Sequence, residues 1–144
     1  MTNKTKEPES VSASPVDALV NRPLVFRAWN KNWQEMEHEV YDISPSEDYV
    51  FMQQTGLQDK NGKEIYEGDI IPITFESHEN YGIKYGADFT LNGFVRYNHY
   101  QARYEIKFPD NEHNIISSEF GWAVLELDVI GNIYENPEKL QKGG

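Results

Sequence analysis

The chain has 144 residues, enough for one domain with a single core. It contains no cysteine, which excludes disulfides, a thiolate nucleophile and thiolate metal sites. Its net charge is −11, and residues 1–22 are neutral by count, so the whole excess lies on the remainder and disfavours general binding to a phosphate backbone.

The first 22 residues differ in composition from the rest. They are rich in Ser, Pro, Thr and Glu and carry scattered apolar side chains, a composition that cannot offset the entropy cost of ordering. We expect a disordered arm over residues 1–22 and a single β domain over residues 23–144. The spacing of Val16, Leu19 and Val20 leaves open a short helix that forms on binding. No stretch has the length of a membrane span or the pattern of a secretory leader, so we expect a cytoplasmic protein.

Three strands are predicted in the first part of the domain. Residues 24–29 alternate with apolar side chains on both faces, residues 33–40 carry Trp33 and Met36, and residues 49–53 form a third run. Clusters of Asn, Ser, Pro and Asp between these runs predict the connecting turns.

The most turn-rich block, residues 55–70, predicts a hairpin. Asn61 and Gly62 are residue types that supply the two positive-φ positions of a type I′ turn, and the flanking residues can pair as antiparallel strands. Gly68 and Asp69 mark a second turn soon afterwards. The chain is therefore expected to fold back twice within this block.

A further set of strands follows the hairpin. Residues 70–75 are apolar, but Pro72 cannot donate to a ladder, which predicts an edge position or a bulge. Residues 77–88 are predicted to form a polar loop. Residues 89–97 and 103–108 are predicted as two more strands.

The last part of the chain predicts two strands and a helical turn. The strands cover residues 121–127 and 129–134, and Asn136 with Pro137 indicates the start of a short C-terminal helical turn. Many short strands with frequent turns predict a mainly β fold, a small SH3-like barrel or a barrel/sandwich of short antiparallel strands.

Several runs spread over residues 24–140 form one pattern. They are Phe26-Arg27-Ala28-Trp29 with Met36, QTGL at 54–57, DKNGKEIYEGDI at 59–70, GFV at 93–95 and VIGNIYENP at 129–137. In this order they resemble the YopX family of phage and prophage proteins. The resemblance implies a phage-derived, mostly β domain with an SH3-like barrel element and no established activity, so no catalytic residue can be carried over. The chain departs from the family mainly in its N-terminal arm and in residues 77–88.

Two groups of residues are candidates for an interaction surface. In the first, Arg27 is expected to pair with Asp69 or Glu67 at the barrel mouth, as a structural network or as a ligand site. The second lies in residues 96–107, where cations and tyrosines on one hairpin suit the stacking of bases or the clamping of a peptide. The alternative is an amphipathic hairpin whose tyrosines fill the core while its cations balance nearby acids. The second group consists of Arg96, Tyr97, His99, Tyr100, Arg103 and Tyr104.

The remaining chemistry is sparse. The four histidines have no zinc-binding spacing, residues 59–64 lack the calcium-loop pattern, and no nucleophile or nucleotide-binding motif occurs, so no catalytic residue, cofactor or metal is predicted. We expect a non-catalytic phage or prophage accessory protein that binds a host or phage protein in the bacterial cytoplasm, with a basic surface as the natural complement. An acidic DNA mimic that inhibits a host nucleic-acid enzyme, and nucleic-acid binding through residues 97–107, remain open. Neither a membrane nor generic duplex DNA is expected as a partner, and homo-oligomerisation is left open.

Overall fold

The structure, a computed structural model, describes residues 24–75, 77–109, 114–116 and 127–140. Within them, curled antiparallel sheets form a half-barrel, and the predicted mainly β, barrel-like fold is confirmed. The strands are β1 (Phe26–Asn30), β2 (Glu35–Val40), β3 (Tyr49–Gln58), β4 (Glu64–Tyr66), β5 (Asp69–Phe75), β6 (His78–Asn80), β7 (Ile83–Tyr85), β8 (Phe89–Asn98), β9 (Arg103–Lys107), β10 (Asn114–Ile116) and β11 (Gly131–Asn132). A 3-10 helix, Pro137–Leu140, lies where the C-terminal helical turn was predicted.

The strands form two main sheets and a small ribbon. The first sheet has the order β2-β1-β3-β4, the second β10-β9-β8-β5-β11, and β6 pairs with β7 alone. The chain passes from the first sheet to the second at the turn between β4 and β5, where Glu67 N–H donates to Gln53 O and Gly68 N–H donates to Val95 O. This turn therefore ties both sheets together.

The core lies mainly against the second sheet. Alternating side chains of β5, β8 and β9 point inward, as expected for strands with one buried face, and the segment after residue 126 covers them. The buried cluster consists of Ile65, Ile71, Ile73, Val95, Ile106, Phe108, Leu127 and Val129. Phe75 extends it, with its ring edge-to-face at 5.7 Å from Phe108 and stacked at 5.0 Å on Phe89.

Pro72 lies at an open edge, as predicted. Ile130 N–H donates to Ile70 O, so the backbone groups of Ile70, and two residues later those of Pro72, face the β11 side of β5. Strand β11 pairs only with Asp69 and Ile70. The missing N–H of Pro72 therefore costs the sheet no ladder bond.

Two turn predictions are wrong. Of Asn61 and Gly62, only Gly62 has a positive φ, at +82°, so their turn is not type I′. Instead, Gly62 N–H donates to Asp59 O, which makes residues 59–62 the turn and places the glycine after it, an arrangement of the type I turn with a bulge. The two-residue turn with both φ values positive is Tyr81-Gly82, inside residues 77–88, where a hairpin of β6 and β7 replaces the predicted polar loop.

Several other predictions concern the ends of elements. Trp33 lies in the turn before β2 and is exposed, so the second strand is shorter than predicted, and β10 was not predicted. The last predicted strand, residues 129–134, contains only the two paired residues of β11.

The predicted arm over residues 1–22 and most of the predicted strand over residues 121–127 lie outside the described residues, so the two-part domain division stays a prediction. Among the residues that the structure describes, no helix has the length and the apolar character needed to span a bilayer.

Candidate functional site

Three of the family-like runs meet where the two sheets join. Strand β1 supplies Arg27, β4 ends with Tyr66, the turn between β4 and β5 supplies Glu67 and Gly68, and β5 begins with Asp69. The loop around β11 closes the group, because Ile133 N–H donates to Gly68 O. Residues distant in sequence are thus brought together by backbone bonds at one turn.

Arg27 and Asp69 form a buried ion pair. The Arg27 Nη1 lies 2.7 Å from Asp69 Oδ1, and the second oxygen of Asp69 accepts from Tyr66 N–H at 2.8 Å. Arg27 Nη2 donates to Glu67 O at 2.9 Å, and its guanidinium lies 4.9 Å from the centre of the Tyr66 ring. The predicted pairing of Arg27 with Asp69 is confirmed, and both partners are fixed by the same turn.

The side chain of Glu67 braces this turn rather than pairing with Arg27. Its Oε1 accepts from Gln53 N–H at 2.7 Å, which links the turn to β3. Burial raises the pKa of Glu67, while the hydrogen bond from Gln53 and the charge of Arg27 oppose that rise. The contact between Glu67 and Arg27 runs through the Glu67 carbonyl oxygen.

Gly68 is required at the centre of this arrangement. Its φ is +87°, and a Cβ atom there would lie 3.0 Å from Met52 Sδ and 3.6 Å from Arg27 Nη2. Any side chain would therefore combine a left-handed backbone with a close approach to the ion pair.

The loop around β11 is shaped by Asn132. The Asn132 Oδ1 accepts from the N–H groups of Tyr134 and Glu135, and its Nδ2 donates to Glu135 Oε1 at 2.7 Å. This turn places the Tyr134 ring in a stack with Trp29, with 5.6 Å between ring centres. The loop is therefore anchored to β1, next to Arg27.

A cleft of about 460 Å³ opens above these residues, and we call it the motif cleft. Residues 129–132 form part of its lining. The titratable side chains in its lining are Arg27, His38, Glu39, Lys63, Glu64, Tyr66, Asp69 and Glu135. Burial raises the pKa of Asp69 against the opposing charge of Arg27, whereas the rim glutamates Glu39 and Glu135 are exposed.

The hairpin of β8 and β9 places its predicted residues on two faces. Arg96 and Glu105 lie opposite each other and form an ion pair of 2.6 Å, to which Asn98 Nδ2 adds a hydrogen bond of 3.1 Å. Burial opposes ionisation of Glu105, but its bonds with Asn98 and Arg96 and the nearby charge of Arg103 together lower its pKa. Arg96 therefore balances an acid, as the amphipathic-hairpin alternative predicts.

The other face carries the tyrosines. Tyr97 and Tyr104 lie opposite each other, two pairs beyond the buried Val95 and Ile106 and therefore on the same face, with their rings edge-to-face at 5.2 Å. They border a groove of about 440 Å³, which we call the hairpin groove. Its lining consists of Leu24, Gln53, Thr55, Tyr97, Ala102, Arg103 and Tyr104.

The remaining two predicted residues sit at the hairpin turn. His99 and Tyr100 have ring centres 4.1 Å apart, and Tyr100 is almost fully exposed. The structure thus divides the nine predicted residues: Arg27, Glu67 and Asp69 form the buried network, Tyr97, Arg103 and Tyr104 line the hairpin groove, Arg96 lies on the opposite face of the hairpin, and His99 and Tyr100 lie at its turn.

Sequence reasoning missed the role of Asp59. This buried carboxylate accepts from the N–H groups of Asn61 and Lys63 on Oδ1, both at 2.9 Å, and from Val129 N–H on Oδ2 at 3.0 Å. It therefore clamps the 59–63 turn to the segment before β11. An Asp at the first position of a turn with a Gly three residues later is the sequence signal that could have indicated these hydrogen bonds. Within the described ranges, no three acidic or histidine side chains are grouped so that they could hold a metal.

Comparison with known proteins gives one family and a structural relative. The family profile described as "YopX protein" matches residues 27–141. The crystal structure of protein EF1440 from Enterococcus faecalis is similar, with 27% sequence identity, a TM-score of 0.53, and coverage of 82% of this chain and 98% of that chain. No curated protein matches the chain.

Proposed function

The chain belongs to the YopX family, and we propose that it is a non-catalytic accessory protein of a phage or prophage that binds a host or phage protein. The observation that carries this proposal is the hairpin groove. Its place of action is then the cytoplasm of the bacterial host.

The hairpin groove combines exposed apolar surface with residue types that dominate binding energy. Leu24 is 57% exposed and Tyr97 is 44% exposed, so a partner can remove a substantial apolar area from water. Tyrosine and arginine are also the side chains most enriched among energetically important interface residues. Arg103 adds a buried Nε–H without an acceptor among the described residues, which a carbonyl or carboxylate of a partner would satisfy.

The buried network supports a structural rather than a catalytic role for its charged residues. Both oxygens of Asp69 already accept hydrogen bonds, and both terminal nitrogens of Arg27 already donate. A general acid or base needs a proton that it can exchange with a substrate. These groups are instead occupied in holding the turn between the sheets.

An acidic mimic of DNA is the second candidate, and one observation favours it. Glu35 and Glu37 are exposed on the edge strand β2, and residues two apart on a strand point to the same side at a spacing of roughly 6–7 Å. Direct nucleic-acid binding is less supported, since Arg96 is paired with Glu105 and the net charge is −11. We therefore expect no measurable affinity for generic duplex DNA at physiological salt, which a fluorescence anisotropy titration would check.

The test is affinity capture from lysogenic or infected host cells with three forms of the full chain. We expect the wild type to retain one or a few proteins that the Tyr97→Ala plus Arg103→Ala variant loses. Tyr81→Ala is the matched control, because Tyr81 is also exposed but lies on the β6–β7 turn away from the groove lining. Equal capture by all three forms would remove the groove from the proposal. A fourth form, Glu35→Gln plus Glu37→Gln, tests the mimic, and loss of capture by this form would favour it.

A further inference from the structure

The motif cleft has a charge imbalance that its own residues do not neutralise. Arg27 and Asp69 cancel each other as a buried pair. Of the remaining charged lining residues, Glu39, Glu64 and Glu135 face a single cation, Lys63, with His38 counted as neutral. The cleft thus has an excess of two negative charges around a concave surface, where low-dielectric walls concentrate the field.

Glu39, Glu64 and Tyr66 line the same cleft, and the two carboxylates act electrostatically on the tyrosine. Burial raises the pKa of the Tyr66 hydroxyl, and the charges of Glu39 and Glu64 raise it further, against the opposing effects of Gln54 and Arg27. Two carboxylates from different strands therefore act on the same part of the cleft. An aromatic ring flanked by carboxylates is a favourable environment for a cation.

The position of Glu39 depends on an irregularity in β2. The pairing of β1 with β2 shifts between Ala28 and Phe26, so that His38 and Glu39 together oppose Arg27, and Glu39 has φ +55°. A bulge of this kind redirects a side chain that regular alternation would place elsewhere. Both His38 and Glu39 line the cleft as a result.

Arg27 provides a separate indication of a ligand. Its side chain lines the cleft although it is only 4% exposed, and its Nε–H has no acceptor among the described residues. A buried donor without an acceptor is costly, so it is a position that a carbonyl oxygen would stabilise. A polypeptide with a basic side chain offers both groups that the cleft lacks, a cation and a carbonyl oxygen.

We infer that the motif cleft is a second binding site, which takes an arginine or lysine side chain of a partner polypeptide between Glu39, Glu64 and the Tyr66 ring. The backbone carbonyl of the same residue accepts from Arg27 Nε–H. This site is separate from the hairpin groove, and the inference goes beyond the proposed function by specifying a basic residue in the partner.

The test is an NMR titration of the isotope-labelled full chain with N-acetyl-arginine methylamide as the probe. The matched control ligand is the citrulline analogue, which keeps the shape and the carbonyl groups but has no charge. We expect saturable shifts of the Tyr66 and Asn132 amide signals with the arginine probe, the same pattern more weakly with the lysine analogue, and little with citrulline.

Two variants that each lose two negative charges distinguish binding in the cleft from general electrostatic attraction to the acidic protein. Glu39→Gln plus Glu64→Gln removes two charges from the cleft, and Glu35→Gln plus Glu47→Gln removes two exposed charges outside its lining. We expect the dissociation constant for arginine to rise about tenfold in the first variant and less than about twofold in the second. If the first variant fails to fold, Glu39→Gln alone serves, because the Glu39 side chain is exposed and makes no hydrogen bond with the described residues.

The inference is overturned if citrulline binds as well as arginine, if the two variants weaken binding equally, or if no saturable shift reaches the cleft at the solubility limit of the probe. Shifts centred on Tyr97 and Arg103 would also overturn it. The outcome does not depend on the capture experiment, because loss of capture through the hairpin groove leaves arginine binding in the cleft unchanged.

Discussion

The protein contains two arginine–carboxylate pairs of nearly equal length in very different surroundings. Arg27 and Asp69 are 2.7 Å apart, with side chains 5% and 1% exposed. Arg96 and Glu105 are 2.6 Å apart, but the arginine side chain is 43% exposed. Distance alone would make the pairs equivalent, whereas burial decides how much free energy is lost when one partner is removed.

The neighbours of each pair explain this difference. The Arg27 guanidinium is held by the Glu67 carbonyl oxygen and the Tyr66 ring, which lie in the turn that joins the sheets and at the end of the strand before it. Arg96 contacts Glu105 at the surface of one hairpin, on the face opposite to the tyrosines of the hairpin groove. The first pair therefore maintains the fold, while the second leaves its surroundings accessible to a partner.

The largest expected effect comes from Arg27→Met, which keeps an unbranched apolar stem and removes the charged guanidinium. Asp69 would remain buried without its cation, and breaking a buried pair in this way costs about 3–5 kcal/mol. Urea denaturation at neutral pH should show this loss in the free energy of unfolding. The double change Arg27→Met plus Asp69→Asn should recover part of it, since an amide oxygen can still accept from Tyr66 N–H. A loss below about 1 kcal/mol for the single variant would mean that water or another cation reaches Asp69.

The buried pair could be predicted from the sequence, and the reason is physical. Arg27 lies within an apolar strand and Asp69 begins another, so neither charge could be buried without a partner of opposite sign. The same argument could not show which residues of the β8–β9 hairpin face the core and which face the solvent. Alternation shows that Arg96 and Tyr97 face opposite ways, but the position of the other sheet decides which face is buried.

Local turns were harder to predict than strands because side chains compete with the backbone for hydrogen bonds. The Asp59 carboxylate binds two N–H groups of its own turn, which overrides the type I′ preference of Asn61-Gly62. The hairpin at Tyr81-Gly82 was missed because tyrosine rarely adopts a positive φ. Long strands with an apolar face, such as β5 and β8, were recovered because burial fixes their alternation.

Asp59 is another buried carboxylate, and the hydrogen bonds that it accepts come mainly from backbone N–H groups. Asp59→Asn replaces one acceptor oxygen by a donor that would face an N–H group, and we expect a loss of about 2–3 kcal/mol at neutral pH. Burial opposes ionisation of Asp59, but its hydrogen bonds with Val129, Lys63 and Asn61 outweigh this and lower its pKa below 3.8. Its ionised form therefore contributes stability that is fully present above the unfolded pKa and is lost as pH falls through the folded pKa.

Measurements of the free energy of unfolding at several pH values test the direction of this pH dependence. Between about pH 5 and about pH 2, the wild type should lose more stability than Asp59→Asn, because only the wild type must protonate this carboxylate. Parallel curves would show that the pKa of Asp59 is the same in the folded and unfolded protein. Denaturant melts at each pH provide the measurement for both chains.

Substitution of Gly62 tests the backbone conformation of this turn separately from the hydrogen bonds of the Asp59 side chain. Its φ is +82° and no atom lies within 4 Å of a Cβ built there, so substitution tests backbone strain without a clash. Gly62→Val should lower the free energy of unfolding by about 1–2 kcal/mol. Gly62→Asn is the control and should lose distinctly less, because asparagine tolerates this conformation. Equal losses would point to an effect of the side chain on the neighbouring Asp59 network.

The smallest effect is expected for Arg96→Met, the counterpart of Arg27→Met at the half-exposed pair. Glu105 would keep its hydrogen bond from Asn98 Nδ2 and the nearby charge of Arg103, so its carboxylate would not be left isolated. We expect a loss of about 0.5–1 kcal/mol, as for other pairs with a solvent-exposed partner. That loss should shrink further in 1 M salt, where the Debye length is about 3 Å and solvent-exposed charges are strongly screened, whereas the loss for the buried pair in Arg27→Met should change little. If Arg96→Met instead costs as much as Arg27→Met at every salt concentration, burial of the carboxylate alone sets the cost, and the exposure of the arginine does not distinguish the two pairs.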